Sequence, residues 1–285
     1  MSELSILENM TGRNYLSFSS MSTYADCSER FYLERVASVP QEQGWWLPAG
    51  TALHTATEYL DHGTHLTAEL AWNDAWRETL ARLDAEPTKA GGRATKAYPN
   101  KEDKTYWDAE GAGMVQGYLT WREQASKDGW ELATINGKPA IEVPVEGTIG
   151  DVTVKGYIDR VFTDSHGNNI IVDLKSSKRE PQSVQMDVYV ALLQQQYEFT
   201  AMYTAYYMLR TQVLTEPKPV KADVFTLGGM FSATKRGIEN EVFLPNVGML
   251  CGTCGVRKYC SVFGTPPALD HLNFLQGDTT HEEGQ

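Results

Sequence analysis

The sequence predicts a mixed α/β fold with helices flanking a sheet, and three observations carry that expectation. Helix-period stretches fill the N-terminal half, the apolar spacing switches to a period of two between residues 132 and 174, and a helical stretch and a further strand pattern follow. The 285 residues are 41% hydrophobic and 22% charged, enough to build a sizeable core, which excludes collagen-like, coiled-coil and wholly disordered chains. Twenty-five Lys and Arg against 37 Asp and Glu leave a net charge of −12. So acidic a chain is no general nucleic-acid coat; a local basic channel is the form in which it would admit nucleic acid.

Taken in order, Ser20 or Ser22 is expected to cap a helix over 23–36, on which Tyr24, Phe31, Tyr32 and Leu33 have roughly helical spacing. Helical patterns follow at 52–60, 66–83 and 106–127. Strands are expected at 140–149, 152–163 and 169–175, the last two joined by the turn-rich Asp164-Ser-His-Gly-Asn168. A helix over 183–199, a strand over 203–210, a strand near 221–227 and a short helix or turn after Phe231 complete the core. The chain is expected to form one domain over 1–268 with a helical insertion at about 60–130, then a flexible acidic tail over 269–285. The first twenty residues hold one Arg and no apolar core, and no apolar run reaches 18 residues, so a cytoplasmic protein with no membrane contact is expected. No G-x4-G-K-[ST] loop occurs, so any helicase is expected on a separate polypeptide.

Segment 89–104 carries Lys89, Arg93, Lys96, Lys101 and Lys104 against Glu102 and Asp103, five positive charges less two, with Tyr98, Tyr106 and Trp107 at or beside it. It reads either as a solvated loop or as a lid that contacts DNA.

The chemistry concentrates in Gly156-Tyr-Ile-Asp159-Arg160 and Ile170-Ile-Val-Asp173-Leu-Lys175. Asp173 and Lys175 are two apart on a strand and share a face, while Val172 and Leu174 point to the other. A hairpin loop of odd length centred near His166 sets Asp159 opposite Asp173. Two carboxylates beside one lysine suit a divalent cation and phosphodiester hydrolysis: the cation activates a water, and the ammonium steadies that water or the anionic transition state. The alternative is a surface hairpin with an ordinary Asp–Lys pair. His54 could present an imidazole to a metal or be structural. Gln185 and Tyr189, four apart on the following helix, can orient Lys175 or touch a phosphate. Glu142, on the preceding strand, is a further carboxylate or an outer partner of the site.

In order along the chain stand Ser19-Ser-Met-Ser22 leading to Cys27-Ser-Glu-Arg-Phe-Tyr-Leu33, then Gly50…His54, Gly156-Tyr-Ile-Asp159-Arg160, Asp173-Leu-Lys175, Gln185…Tyr189 and Cys251-Gly-Thr-Cys254…Cys260. This series resembles the RecB-like branch of PD-(D/E)xK nucleases, specifically the iron–sulfur subgroup with the CRISPR-associated Cas-four exonucleases and the nuclease modules of AddB-type helicase–nucleases. The resemblance implies a restriction-endonuclease-like core in which His54, Asp159, Asp173 and the Leu174 carbonyl hold Mg2+ or Mn2+. Lys175 is then the catalytic lysine, with Gln185 and Tyr189 as the helix motif behind it. Ile158 stands where the motif's name has Pro, and the second acid is Asp where many relatives have Glu.

All four cysteines fall in a C-x223-C-x2-C-x5-C pattern. Four thiolates suit a [4Fe–4S] cluster or tetrahedral zinc; one distant Cys with a compact triplet resembles the cluster of these nucleases, a staple between Cys27 and 251–260. The resemblance as a whole implies a metal-dependent exonuclease acting on single-stranded DNA ends in replication, recombination or repair. A helicase or recombination protein is the implied partner, and relatives form rings. A nuclease trimming CRISPR spacer precursors and a catalytically silent DNA-binding or assembly subunit are the alternatives.

Overall fold

The computed structural model describes residues 5–181, 183–266, 268 and 269. In chain order the helices are α1 (Ile6–Thr11), α2 (Phe18–Asp26), α3 (Ser28–Phe31), α4 (Trp46–Asp61), α5 (Ala68–Ala81), α6 (Lys104–Lys127), α7 (Gln185–Tyr197) and α8 (Val224–Glu239). The strands are β1 (Glu131–Leu132), β2 (Thr134–Ile135), β3 (Lys138–Pro139), β4 (Ile141–Ile149), β5 (Val152–Thr163), β6 (Asn169–Lys175), β7 (Tyr203–Met208), β8 (Val213–Leu214) and β9 (Lys218–Pro219). Among the described residues no helix is long and apolar enough to cross a membrane. The acidic tail expected over 269–285 lies, Leu269 apart, outside the described residues. The chain divides into two compact units that alternate along the sequence: Gln43–Gly147 with Lys155–Leu227, and Met1–Glu42 with Thr148–Val154 and Gly228–Gln285.

The first unit is built on a mixed sheet ordered β1-β5-β6-β7-β8, with β4 also pairing β5 and β9 also pairing β7. β5 and β6 are antiparallel from Arg160↔Val172 to Thr163↔Asn169. β6 and β7 are parallel from Ile170↔Tyr203 to Lys175↔Met208, so the chain must cross over between them, and α7 forms that crossover. With both faces of β6 covered, its sequence Ile170-Ile-Val runs apolar without alternation. Val172, Leu174, Phe162 and Tyr207 enter one core with Ala49, Ala52 and Ala56 of α4, Ala71 and Ala75 of α5 and Trp107 and Val115 of α6. Alanines along both α4 and α5 let the two backbones approach closely, and Trp72 stacks on Trp76 at 5.3 Å along one face of α5. Thr67 caps α5 by accepting from the Leu70 N–H, and Asp103 caps α6 by accepting from the Tyr106 N–H. Helix α4 begins at Trp46, six residues before the expected start, because Pro48 lies in its first turn, where no intrahelical N–H is required.

One charged network lies in this core. Asp61, at the end of α4 with 3% of its side chain exposed, accepts from Tyr118 Oη at 2.5 Å, Arg122 Nε at 2.9 Å and Arg160 Nε at 2.7 Å. The Arg160 side chain is wholly buried and also donates to Thr57 Oγ1 and to the backbone oxygen of Asp159. A buried charge is tolerated only when paired and hydrogen-bonded in this way.

In the second unit, the helix expected over 23–36 is interrupted. Helix α2 starts earlier, with Ser17 as its N-cap, and ends at Cys27, whose φ of −165° and ψ of 104° are extended; α3 then restarts and loosens into a wider turn over Tyr32–Val36. The break is fastened by distant chain: the Leu244 N–H donates to Ser28 Oγ, Glu29 N–H donates to the Leu244 carbonyl, and Asn246 Nδ2 donates to the Asp26 carbonyl. The strand expected near 221–227 and the short turn after Phe231 are instead one helix, α8. Asp223 accepts from the N–H groups of Phe225 and Thr226 and so starts it. Leu227, Phe231, Thr234 and Ile238 are buried at helical spacing, and burying that stripe outweighs the local β preference of Val-Phe-Thr.

Candidate active site and cysteine cavity

One step beyond the Arg160↔Val172 pair, the β5–β6 register brings Asp159 opposite Asp173. Asp159 Oδ2 accepts the Leu174 N–H at 2.7 Å, and its Oδ1 lies 3.5 Å from His54 Nδ1, in the interior of α4. Lys175 Nζ lies 2.7 Å from Asp173 Oδ2 and donates to Gln185 Oε1 at 3.0 Å; Gln185 Nε2 completes the chain to Tyr189 Oη at 2.8 Å. Gly156 makes room for this arrangement, since a Cβ there would sit 3.0 Å from the Tyr189 ring. Glu142 also arrives: one carboxylate oxygen, the His54 imidazole and one Asp159 oxygen lie within 4.8 Å of one another. Arg160 Nη1 donates to Glu142 Oε1 at 3.2 Å, and Glu142 departs from regular strand geometry with a φ of +47°.

These groups perturb one another. Burial, and then the charge of Asp159, push Asp173 up to about 7 against the pull of Lys175. Burial acts on Asp159 too, but the His54 imidazole, the Leu174 N–H and Arg160 outweigh it and hold that carboxyl below the ordinary range. His54 is raised, the nearby carboxylates overcoming its burial, and Glu142 is raised by burial and by Asp159. Neighbouring carboxyls driven apart in this way, beside an ammonium, form an environment in which a cation relieves repulsion. Hard oxygen donors with one imidazole suit Mg2+ or Mn2+.

The basic segment is placed differently. Arg93, Lys96 and Lys101 are exposed on irregular chain, Lys89 makes a backbone bridge with Gly44, and Lys104 opens α6 paired with Asp108 at 2.7 Å. Its anchor, for which the sequence offers no signal, is buried Glu102, which binds Arg210 at 2.8 Å and Lys178 at 3.1 Å. Lys178 belongs to the chain leaving β6, three residues after Lys175. Asp61, Tyr118 and Arg122, which lock Arg160, likewise form no motif.

In the second unit Cys27, Cys251, Cys254 and Cys260 line a single cavity of about 30 Å3, together with Arg30 and Arg257. Backbone N–H groups point at each sulfur: Asn246 at Cys27, Gly248 at Cys251, Val256 at Cys254, and Val262 and Phe263 at Cys260. Cys260 Sγ also donates to Glu29 Oε2 at 3.1 Å. Burial raises the Cys254 and Cys260 thiols, so a ligated metal is what would hold them as thiolates. No three of these sulfurs lie within 4.8 Å of one another. A single tetrahedral zinc with bonds of about 2.3 Å would bring them roughly 3.8 Å apart. Four cysteine sulfurs lining one cavity, each facing a backbone N–H, are a donor set that thiolate-ligated metal would use.

The model of the PD-(D/E)XK nuclease superfamily matches residues 15–261. The chain belongs to this superfamily. It is a nuclease whose mixed sheet flanked by helices is the superfamily's fold. Nucleases of this superfamily typically use divalent metals, and the grouping of His54, Glu142 and Asp159 offers such an ion a place. Two curated relatives are the Gene 69 proteins of Mycobacterium phage D29, 27% identical over 264 residues, and Mycobacterium phage L5, 25% identical over 281. Each alignment covers 87% of this chain and 96% of the relative. The crystal structure of a candidate exonuclease from Eubacterium rectale aligns over 99% of this chain and 100% of its own at 15% identity, with a TM-score of 0.47.

Proposed function

We propose that this nuclease is a metal-dependent DNA exonuclease of the RecB-like, iron–sulfur branch, working on single-stranded ends in recombination, repair or replication. The observation that carries the reading is the convergence of His54, Asp159, Asp173 and Lys175, from three separate elements, in one acidic cluster. His54, Asp159, Asp173 and the Leu174 carbonyl would hold Mg2+ or Mn2+, which when bound supplies an activated water and neutralises charge on the scissile phosphate. Lys175, fixed between Asp173 and Gln185, places its ammonium where the attacking water or the developing phosphorane charge needs a donor. Tyr189 holds Gln185, and through it the lysine, in one rotamer.

The four cysteines would bind a [4Fe–4S] cluster as a structural staple between Cys27 and the chain 224 positions later at Cys251. The N–H groups directed at each sulfur support a ligand role, and the pattern of one distant Cys with a compact triplet favours the cluster over zinc. Cys254→Ala is expected to lose visible absorbance and several degrees of melting temperature together; an unchanged spectrum refutes the ligand role.

The exposed Arg93, Lys96 and Lys101, on a loop that Glu102 fastens beside the chain leaving β6, would guide the strand toward the pocket, with Lys89 and Lys104 at its base. Removing Arg93 and Lys96 together is expected to raise KM several-fold with kcat retained, and to flatten the salt dependence of log K by about 0.7 per lost phosphate contact. An unchanged salt slope places DNA elsewhere.

The reading is tested with linear and circular single-stranded DNA in Mn2+. Loss of the linear form alone is expected. Cleavage of circles shows an endonuclease, and intact DNA with folded, cluster-bearing protein shows a binding or assembly subunit.

A further inference from the structure

We propose that Glu142 is itself a metal ligand, completing a divalent-cation site with His54 and Asp159. The proposal rests on the reading of this pocket as a metal centre and adds a donor to it.

Three ligand atoms, one imidazole nitrogen and two carboxylate oxygens, lie within 4.8 Å of one another, and among the described residues this is the one such grouping. Octahedral Mg2+ or Mn2+, with bonds of about 2.1 Å, holds neighbouring donors roughly 3 Å apart and opposite donors roughly 4.2 Å apart. The three atoms therefore need only small side-chain rotations to share an ion. Asp173 is absent from the grouping, and its Oδ2 already faces Lys175 at 2.7 Å. Glu142 is thus better placed than Asp173 to complete this particular set.

The surroundings of Glu142 fix its aim. Arg160 donates from Nη1 both to Glu142 Oε1 and to the backbone oxygen of Asp159, while its Nε is locked on Asp61. A wholly buried guanidinium therefore ties the strand that bears Glu142 to the strand that bears Asp159, and sets the spacing of the two carboxylates. Such an outer support is characteristic of metal ligands, whose orientation must be held before the ion arrives. The Glu142 side chain is 31% exposed, so an ion and its water ligands can reach it from solvent.

The test is titration of the full chain, freed of divalent cations but with its cysteine site as purified, with Mn2+ alone and without DNA, followed by calorimetry and by electron paramagnetic resonance of free Mn2+. Glu142→Gln keeps an oxygen for Arg160 but removes the ligating charge. Its Mn2+ Kd is expected to rise at least about 10-fold, with the metal-free melting temperature unchanged or higher and the Mn2+-induced rise in melting temperature reduced. Wild-type affinity in Glu142→Gln overturns the assignment and leaves the metal centre standing. Failure of the wild-type chain to bind Mn2+ overturns the metal-centre reading itself. Should Glu142→Gln not fold, Glu142→Asp, which withdraws the carboxylate by one methylene, carries the same expectation, and unaltered affinity in it overturns the proposal.

Discussion

Asp173→Ala will cleave DNA at least about 10³-fold more slowly than the wild-type chain, while the visible absorbance and iron content of the proposed cluster stay the same. Asp173 is 2% exposed and lies 2.7 Å from Lys175, so the substitution removes a proposed metal donor and the partner that positions the lysine. Loss of one preorganised electrostatic group costs roughly 10²–10³ in rate, and here two functions go together. Stability is expected to change little or to rise, because burial, and then repulsion from Asp159, disfavour the charged carboxylate and push it up to about 7. Single-turnover cleavage in saturating Mn2+ measures the rate, and melting without metal measures the fold. A variant with undiminished cleavage removes Asp173 from the centre.

Asp61→Ala will destabilise the protein by about 3–5 kcal/mol, the scale for breaking a buried ion pair by removing one partner. It leaves Arg160, with no exposed side-chain surface, facing a cavity, and it strips Arg122 and Tyr118 of their acceptor. At roughly 2–4 °C per kcal/mol the melting temperature falls by on the order of 10 °C. Because Arg160 also holds Glu142 and the Asp159 backbone, metal affinity falls in the molecules that remain folded. A shift below about 1 °C shows that solvent or a neighbouring group satisfies Arg160 and that the network is not a keystone of this unit.

Much of the site's geometry is legible in the sequence because a hairpin's register follows from its loop. An odd loop centred on His166 predicts Asp159 opposite Asp173, and the strands observed at Val152–Thr163 and Asn169–Lys175 match the expected ranges. The four-residue spacing of Gln185 and Tyr189 likewise foretells one helix face, and their side chains do touch. The interruption at Cys27 is not legible: the apolar spacing runs straight through it, and what breaks the helix is hydrogen bonding to chain more than 200 residues away. Helix α8 is hidden for a different reason, since Val-Phe-Thr reads locally as strand and only the buried stripe from Leu227 to Ile238 decides. The Asp61 network is invisible because its members lie 57 to 99 positions away, and no pattern marks a carboxylate that collects three donors. Glu142 is legible as an acid on the right strand; its closeness to His54 is a tertiary fact.

The most direct measurement is digestion of 5′-labelled and 3′-labelled single-stranded DNA by anaerobically purified protein in Mn2+, beside the Lys175→Ala variant. Progressive shortening by the wild-type chain alone is the predicted result, and the label lost first sets the polarity. Equal shortening by Lys175→Ala, or none by folded wild-type protein carrying the proposed cluster, contradicts a nuclease centre built on Asp159, Asp173 and Lys175.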